Sequence, residues 1–197
     1  MRRLIAVLLI SAAASLAASC ASSPPVRYYG LESIDGTKIY DAGDKNIGLG
    51  PITFPEYLNR PQIVTRTPGA ELKIAEFDRW AEPLEDAFLR TVVTNVDSLL
   101  DSAVVVRFPY GSVLRVDYRI GGRVTRFDVD ETGTAVLKVQ WGAATPDGQE
   151  ILGVRRWTYT ARAANRDSYD SIVTALNETV EAFTRDVADA LRAVIEE

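Results

Sequence analysis

Short stretches in which apolar and polar residues alternate predict the strands of a sheet. The first, at residues 47–54, is interrupted by Gly48, Gly50 and Pro51, which is typical of an edge or bulged strand. A β-branched run at residues 103–108 predicts a buried strand. The remaining strands are predicted at residues 62–66, 72–77, 113–129 with a break at Gly121-Gly122, 135–144 and 150–161.

Two stretches repeat apolar residues at helical spacing. The first begins at Pro83, a residue favoured in the first turn of a helix, and has acidic residues near its positive end. The second runs towards the end of the chain, with Asp167 or Ser168 as its cap. The apolar stripes are Leu84, Phe88, Val92, Val96 and Leu99 in the first, and Tyr169, Ile172, Val173, Leu176, Val180, Phe183, Val187, Leu191 and Val194 in the second.

The three longest strands are joined by tight turns, so neighbouring strands must run antiparallel. The turns at residues 130–133 and 146–148 contain the Asp, Gly and Pro residues that turn geometry favours. We find no internal repeat and no second-domain boundary. The pattern therefore predicts one α/β domain at residues 38–197, a mixed, largely antiparallel sheet packed with two long helices.

The chain starts like a secreted protein. Two arginines precede an apolar stretch at residues 4–16, which is shorter than the roughly 20 residues of a membrane-spanning helix. We therefore expect residues 1–19 to be a cleaved signal peptide. The only cysteine, Cys20, follows directly in a pattern that resembles a bacterial lipobox, although Ala17 stands where leucine is usual. Cys20 is the predicted lipidation site.

Residues 20–37 are the predicted lipidated cysteine and its tether. Proline and serine residues after the cysteine favour extended backbone, which limits the reach of the segment to roughly 50 Å. We expect Tyr28, Tyr29 and Leu31 to pack onto the domain. Ala21 is not the aspartate that resembles an inner-membrane retention signal, so by this analogy the protein is sorted to the outer membrane.

The charge of the chain argues against two kinds of partner. Removing Arg2 and Arg3 with the signal peptide leaves 20 basic residues against 27 acidic ones, a formal net charge of −7. An acidic chain does not favour nucleic acid or polybasic adsorption to a membrane. Attachment is therefore expected to depend on acyl chains, each buried CH₂ contributing about 0.8 kcal/mol.

The sequence contains no histidine, which excludes Ser-His-Asp and Cys-His catalytic sites and histidine-ligated metals. We expect neither an enzyme nor a cofactor beyond the covalent lipid on Cys20. Carboxylates are the remaining acid-base candidates, and a carboxylate-based hydrolase stays an alternative. The acidic cluster consists of Glu76, Asp78, Glu82, Glu85 and Asp86.

Three stretches together resemble a known family. "RYYGL", "IGLGPITFPEYLNRPQIVTR" and "AEFDRWAEPLEDAFLRTVVTNVDSLL" are similar to the PqiC family of ABC-type transport auxiliary lipoproteins. The resemblance covers nearly all of the mature chain. It implies an outer-membrane lipoprotein that works with an MCE-domain protein and an inner-membrane subunit in lipid transport, and a fold similar to the amino-terminal domain of TolB.

An adaptor of this kind needs exposed anchors for its partner. The loop at residues 55–61 is rich in residue types that serve as interface hot spots, although Tyr57 and Leu58 could instead pack in the core. The same alternative applies to Trp80, for which core packing is favoured. The candidate partner-binding residues are Tyr57, Leu58, Arg60, Pro61 and Trp80. Self-association is a further option. A lipid-binding module remains an alternative, and it would need an apolar cavity between sheet and helix.

Overall fold

The sheet of this protein is assembled around one long strand and is covered on one face by both helices. The computed structural model describes residues 24–36, 38, 40–101, 103–110 and 114–195. Its strands are β1 (Arg27–Tyr29), β2 (Tyr40–Asp41), β3 (Asn46–Thr53), β4 (Gln62–Arg66), β5 (Leu72–Trp80), β6 (Leu100–Asp101), β7 (Val104–Arg107), β8 (Tyr118–Val129), β9 (Thr134–Ala144) and β10 (Glu150–Arg162). Its α-helices are α1 (Leu84–Leu99) and α2 (Tyr169–Ile195).

The strand β8 is the centre of the sheet. Along one edge it pairs antiparallel with β9, which pairs antiparallel with β10. Its other edge has two parallel partners, β3 along its first half and β4 at Val129, so the sheet forks there. The β3 branch continues to β7 and the β4 branch to β5 and β1. The long pairings are antiparallel, and the predicted mixed sheet with two long helices is confirmed.

Both helices bury the stripes that the sequence predicts. Phe88 of α1 and Phe183 of α2 are fully buried and stack on each other at 5.8 Å between ring centroids. Phe183 also meets Trp141 of β9 edge to face, again at 5.8 Å. This ring cluster joins the two helices to the middle of the sheet, because each such aromatic pair contributes about 0.5–1.5 kcal/mol beyond area burial.

The two predicted hairpin turns form as expected. Gly133 adopts a φ of 84°, which glycine tolerates best, and its amide donates to the carbonyl of Asp130. The amides of Thr132 and Thr134 both donate to the Asp130 carboxylate. Although burial alone would raise the pKa of Asp130, these bonds and that of the Thr132 hydroxyl hold it below its ordinary value.

Three strand predictions need correction. β3 is bulged, with an irregular register between Leu49 and Ile52, but it is no edge strand because β7 and β8 pair on either side of it. β7 is itself the edge strand, and Val104 is half exposed rather than buried. β8 begins only at Tyr118 and runs through the two glycines without a break. A single sequence does not reveal which strand has a neighbour on each side.

The ordered fold begins earlier than residue 38. β1 pairs parallel with β5 inside the expected tether, so the domain starts at Arg27. Leu31 is buried and Tyr29 packs against the core as expected, whereas Tyr28 is 64% exposed. Residues 1–23, with the predicted signal peptide and Cys20, lie outside the described residues. Within the part of the chain that the structure describes, no helix combines the length and apolar character needed to cross a bilayer.

Candidate docking groove

The pairing of β1 with β5 and of β5 with the segment before β4 brings three side chains together, of which Tyr28 is exposed and Arg60 and Arg79 are partly buried. In β5, Asp78 and Trp80 are buried on the helix side, so Arg79 between them points to the opposite, open face. Arg79 is paired with Tyr28 of β1, which shares that face. Arg60 joins them from just before β4, where the amide of Trp80 donates to the carbonyl of Pro61 at 2.6 Å.

These residues line an open groove of about 410 Å³ between the end of β5 and the start of α1. Pro61 and the ring of Tyr28 form its apolar walls, and the guanidinium groups of Arg60 and Arg79 supply charge. The full lining is Tyr28, Asn59, Arg60, Pro61, Arg79, Trp80, Ala81, Glu82, Pro83 and Leu84. Tyrosine, arginine and an apolar wall are the combination that protein interfaces favour at their centres.

The two arginines of the groove each have a buried nitrogen without a hydrogen-bond acceptor. The Nε atoms of Arg60 and Arg79 are both buried without a hydrogen-bond partner. Among the described residues no carboxylate pairs with either, and the one acid of the lining, Glu82, binds Arg90 at 2.6 Å instead. A buried donor without a partner costs about 1–3 kcal/mol.

The structure separates the five predicted partner-binding residues into two groups. Arg60 and Pro61 lie in the groove. Leu58 is only 3% exposed and Trp80 only 5%, with its ring stacked on Phe127 at 6.3 Å between centroids. For Leu58 and Trp80 the structure therefore supports core packing, the alternative to an exposed anchor, because both side chains are buried.

Tyr57 supports the loop from within a polar network. Its hydroxyl accepts a hydrogen bond from Nη2 of Arg66 at 3.3 Å and lies 3.5 Å from the carboxylate of Asp128. Asp128 is fully buried, and its carboxylate accepts hydrogen bonds from Nε of Arg66 at 2.8 Å and from Nε of Arg126 at 2.7 Å. Burial, followed by the Asp128 charge, raises the pKa of Tyr57. Tyr57 thus fixes the loop to the sheet rather than presenting an exposed hot spot.

Sequence reasoning missed Tyr28 and Arg79. Tyr28 belongs to the expected tether, and Arg79 is a charged residue between Asp78 and Trp80 in a strand whose predicted end was residue 77. Arg79 faces away from the core because its neighbours Asp78 and Trp80 are both buried on the other face of the strand. Only the pairing of β1 with β5 brings Tyr28 beside it.

The acidic cluster considered for catalysis is dispersed, and cations engage three of its members. Asp78 accepts from Arg27 at 2.7 Å and from the hydroxyl of Tyr29 at 3.1 Å. Burial and then this hydrogen bond raise the pKa of Tyr29 to about 12. Asp86 pairs with Arg107, and Glu82 with Arg90. In the described part of the chain no three metal-ligating side chains come together.

One apolar pocket between the sheet and α2 is small. Its apolar lining comes from β8, β9 and α2, including Ile120, Trp141 and Leu191, but it leaves only about 10 Å³. Sites for small organic ligands measure about 300–1,000 Å³. This pocket therefore has no room for the acyl chain that a lipid-binding module would hold.

Comparison with known proteins gives the family. The model of the family described as ABC-type transport auxiliary lipoprotein component matches residues 29–188. The chain belongs to this family. It is 28% identical over 171 residues to the intermembrane transport lipoproteins PqiC of Escherichia coli K12 and Shigella flexneri, a match that spans 85% of this chain and 88% of each relative. The resemblance to the PqiC family is thereby confirmed.

Two solved structures share the fold. One, an uncharacterised protein, superposes with a TM-score of 0.70 at 23% identity, covering 84% of this chain and 98% of that one. The other, from Xanthomonas campestris, has a TM-score of 0.72 at 15% identity, covering 87% and 97%. The predicted single α/β domain agrees with both.

Proposed function

We propose that this lipoprotein is the outer-membrane subunit of an MCE-type intermembrane lipid transport system, in which it acts as a non-catalytic adaptor. It would hold an MCE-domain protein at the outer membrane, while an inner-membrane subunit completes the transporter. Family membership supports a role in transport. The observation that carries the adaptor role is the groove, where two arginines form no ion pair with any described residue in a surface otherwise suited to a protein contact.

The short anchor makes docking efficient. Seven positions separate Cys20 from Arg27 at the start of β1, which at about 3.1 Å per residue allows roughly 20 Å of reach. An acylated Cys20 would hold the domain within that distance of the bilayer. Confinement to such a layer raises the effective concentration of the groove for a partner that arrives from the inner membrane.

The groove favours a partner segment that carries a carboxylate. A carboxylate could accept hydrogen bonds from Arg60 and Arg79 while an apolar neighbour packs on Tyr28 and Pro61. An acidic segment of the MCE-domain protein has this chemistry. Such contacts between charged groups are strong because both arginines are already partly buried, each with its Nε atom removed from water.

A binding assay tests the groove directly. Arg60→Gln combined with Arg79→Gln should weaken capture of the MCE-domain protein of the same transporter about thirtyfold, because loss of a hot spot costs about 2 kcal/mol or more. Arg185→Gln with Arg192→Gln on α2 removes the same charge elsewhere and should bind normally. Equal binding by all three proteins would exclude the groove as the docking site.

The anchor has its own test. Cys20→Ala should abolish incorporation of labelled palmitate, because the chain has no other cysteine, and should remove the protein from the outer-membrane fraction. Palmitate labelling that persists in this variant would contradict anchoring through Cys20.

A further inference from the structure

The face of β8, β9 and β10 that points away from the helices is strongly basic. On the helix side, β9 buries Leu137, Val139 and Trp141, so the residues between them point outward. The register with β8 and β10 identifies the neighbours on the same open face. The basic residues at these outward positions are Arg119, Arg123, Arg126, Lys138, Arg156 and Arg162.

Opposite charges on this face are few. Asp128 is fully buried and already bound by Arg66 and Arg126. Glu150 lies at the far end of β10, next to the hairpin turn. Among the described residues, Arg123, Lys138 and Arg156 form no ion pair, and all three are exposed. We call the surface of these three residues the basic sheet face.

The register places these cations close together. Arg123, Gln140 and Arg156 face one another across three strands, so the first and last are about 10 Å apart at a strand spacing of about 4.8 Å. Lys138 lies on the next outward row between them. Like charges at such distances repel each other, and an anionic surface would relieve that repulsion.

The negative charge of the protein lies elsewhere. A groove between the segment after β1 and α2 is lined by five acidic residues, Glu32, Asp35, Asp170, Glu178 and Glu181. Net charge alone argues against adsorption to a membrane, but the structure concentrates cations on the sheet face that neither α1 nor α2 covers. A basic surface patch attracts anionic lipid headgroups even when the whole chain is acidic.

We propose that the basic sheet face binds the headgroups of anionic phospholipids and lays this side of the sheet against the membrane. The inference deepens the proposed function, since it takes its biological setting from the anchor at Cys20. The short reach from Cys20 to β1 keeps the domain close enough for such contact.

Vesicle sedimentation tests the proposal without acyl chain or partner. The test protein is the chain from residue 20 onward with Cys20→Ser, so that it cannot be acylated. One set of vesicles contains phosphatidylcholine and the anionic lipid phosphatidylglycerol, and the other contains phosphatidylcholine alone. The protein should bind only the anionic vesicles, and less at high salt. Arg123→Gln, Lys138→Gln and Arg156→Gln together should weaken binding on the order of a hundredfold, about fivefold for each cation.

A matched control changes the same charge on the helix side, with Arg90→Gln, Arg185→Gln and Arg192→Gln. This control variant should bind anionic vesicles far better than the first triple variant.

Two results would overturn the proposal: equal loss of vesicle binding in both triple variants, or equal binding of the parent protein to both kinds of vesicle. If the parent ignores vesicles while the first triple variant loses the MCE-domain partner, the basic sheet face binds protein and the membrane assignment is wrong. None of these vesicle results bears on the docking groove.

Discussion

Single residues decide whether the loop at residues 55–61 is surface or core. Leu58, in the segment between β3 and β4, is buried in the core. Pro61 of the same loop is exposed in the groove. Leu58→Ala should therefore lower the free energy of unfolding by about 2–5 kcal/mol, the cost of a cavity. Pro61→Ala should change it little. Denaturant unfolding measures both, and an unchanged midpoint for Leu58→Ala would mean that the leucine is not packed.

Asp130 gives the turn between β8 and β9 a pH dependence. Its folded pKa is below the ordinary value of about 3.9, so the ionised form stabilises the fold above that pH. This contribution is lost as the pH falls through the folded pKa. Asp130→Asn should thus be less stable than the parent at neutral pH, and the difference should shrink in acid. Thermal unfolding across that range checks this, and a difference independent of pH would contradict it.

Among the elements, α2 depends most on one aromatic contact. Phe183 is fully buried between Phe88 of α1 and Trp141 of β9. Phe183→Ala should cost about 3–5 kcal/mol of stability. Arg185→Ala, two positions on and exposed, should cost far less. If both variants melted at the parent temperature, α2 would not be part of the folded core.

The elements also show what a single sequence can reveal. Periodicity predicts α1, α2 and the β8–β10 meander because each follows from neighbours in the chain. The parallel pairings of β1 with β5 and of β3 with β8 join distant segments, and no local pattern encodes them. The groove depends on one of these pairings, so Arg60 and Pro61 could be proposed from residue type whereas Tyr28 could not.

On the scale of the whole molecule, the proposed contacts lie on the open face of the sheet. The helices cover one face and leave the other to the docking groove on the β4 branch and the basic sheet face on β8–β10. The acidic groove beside α2 extends from the helix layer to Tyr28, which also lines the docking groove. With its two proposed binding surfaces on different strands of one sheet, such a lipoprotein could contact a membrane and a protein partner at the same time.

Photo-crosslinking in intact cells tests the central claim, that this groove docks an MCE-domain protein at the membrane. A benzoylphenylalanine in place of Tyr28 reports on the groove, because this ring is 64% exposed on its wall. The same probe in place of Asp167, which is exposed before α2, serves as the control. We predict an adduct with the MCE-domain protein from position 28 and none from position 167. No adduct from position 28, or equal adducts from both positions, would contradict the account.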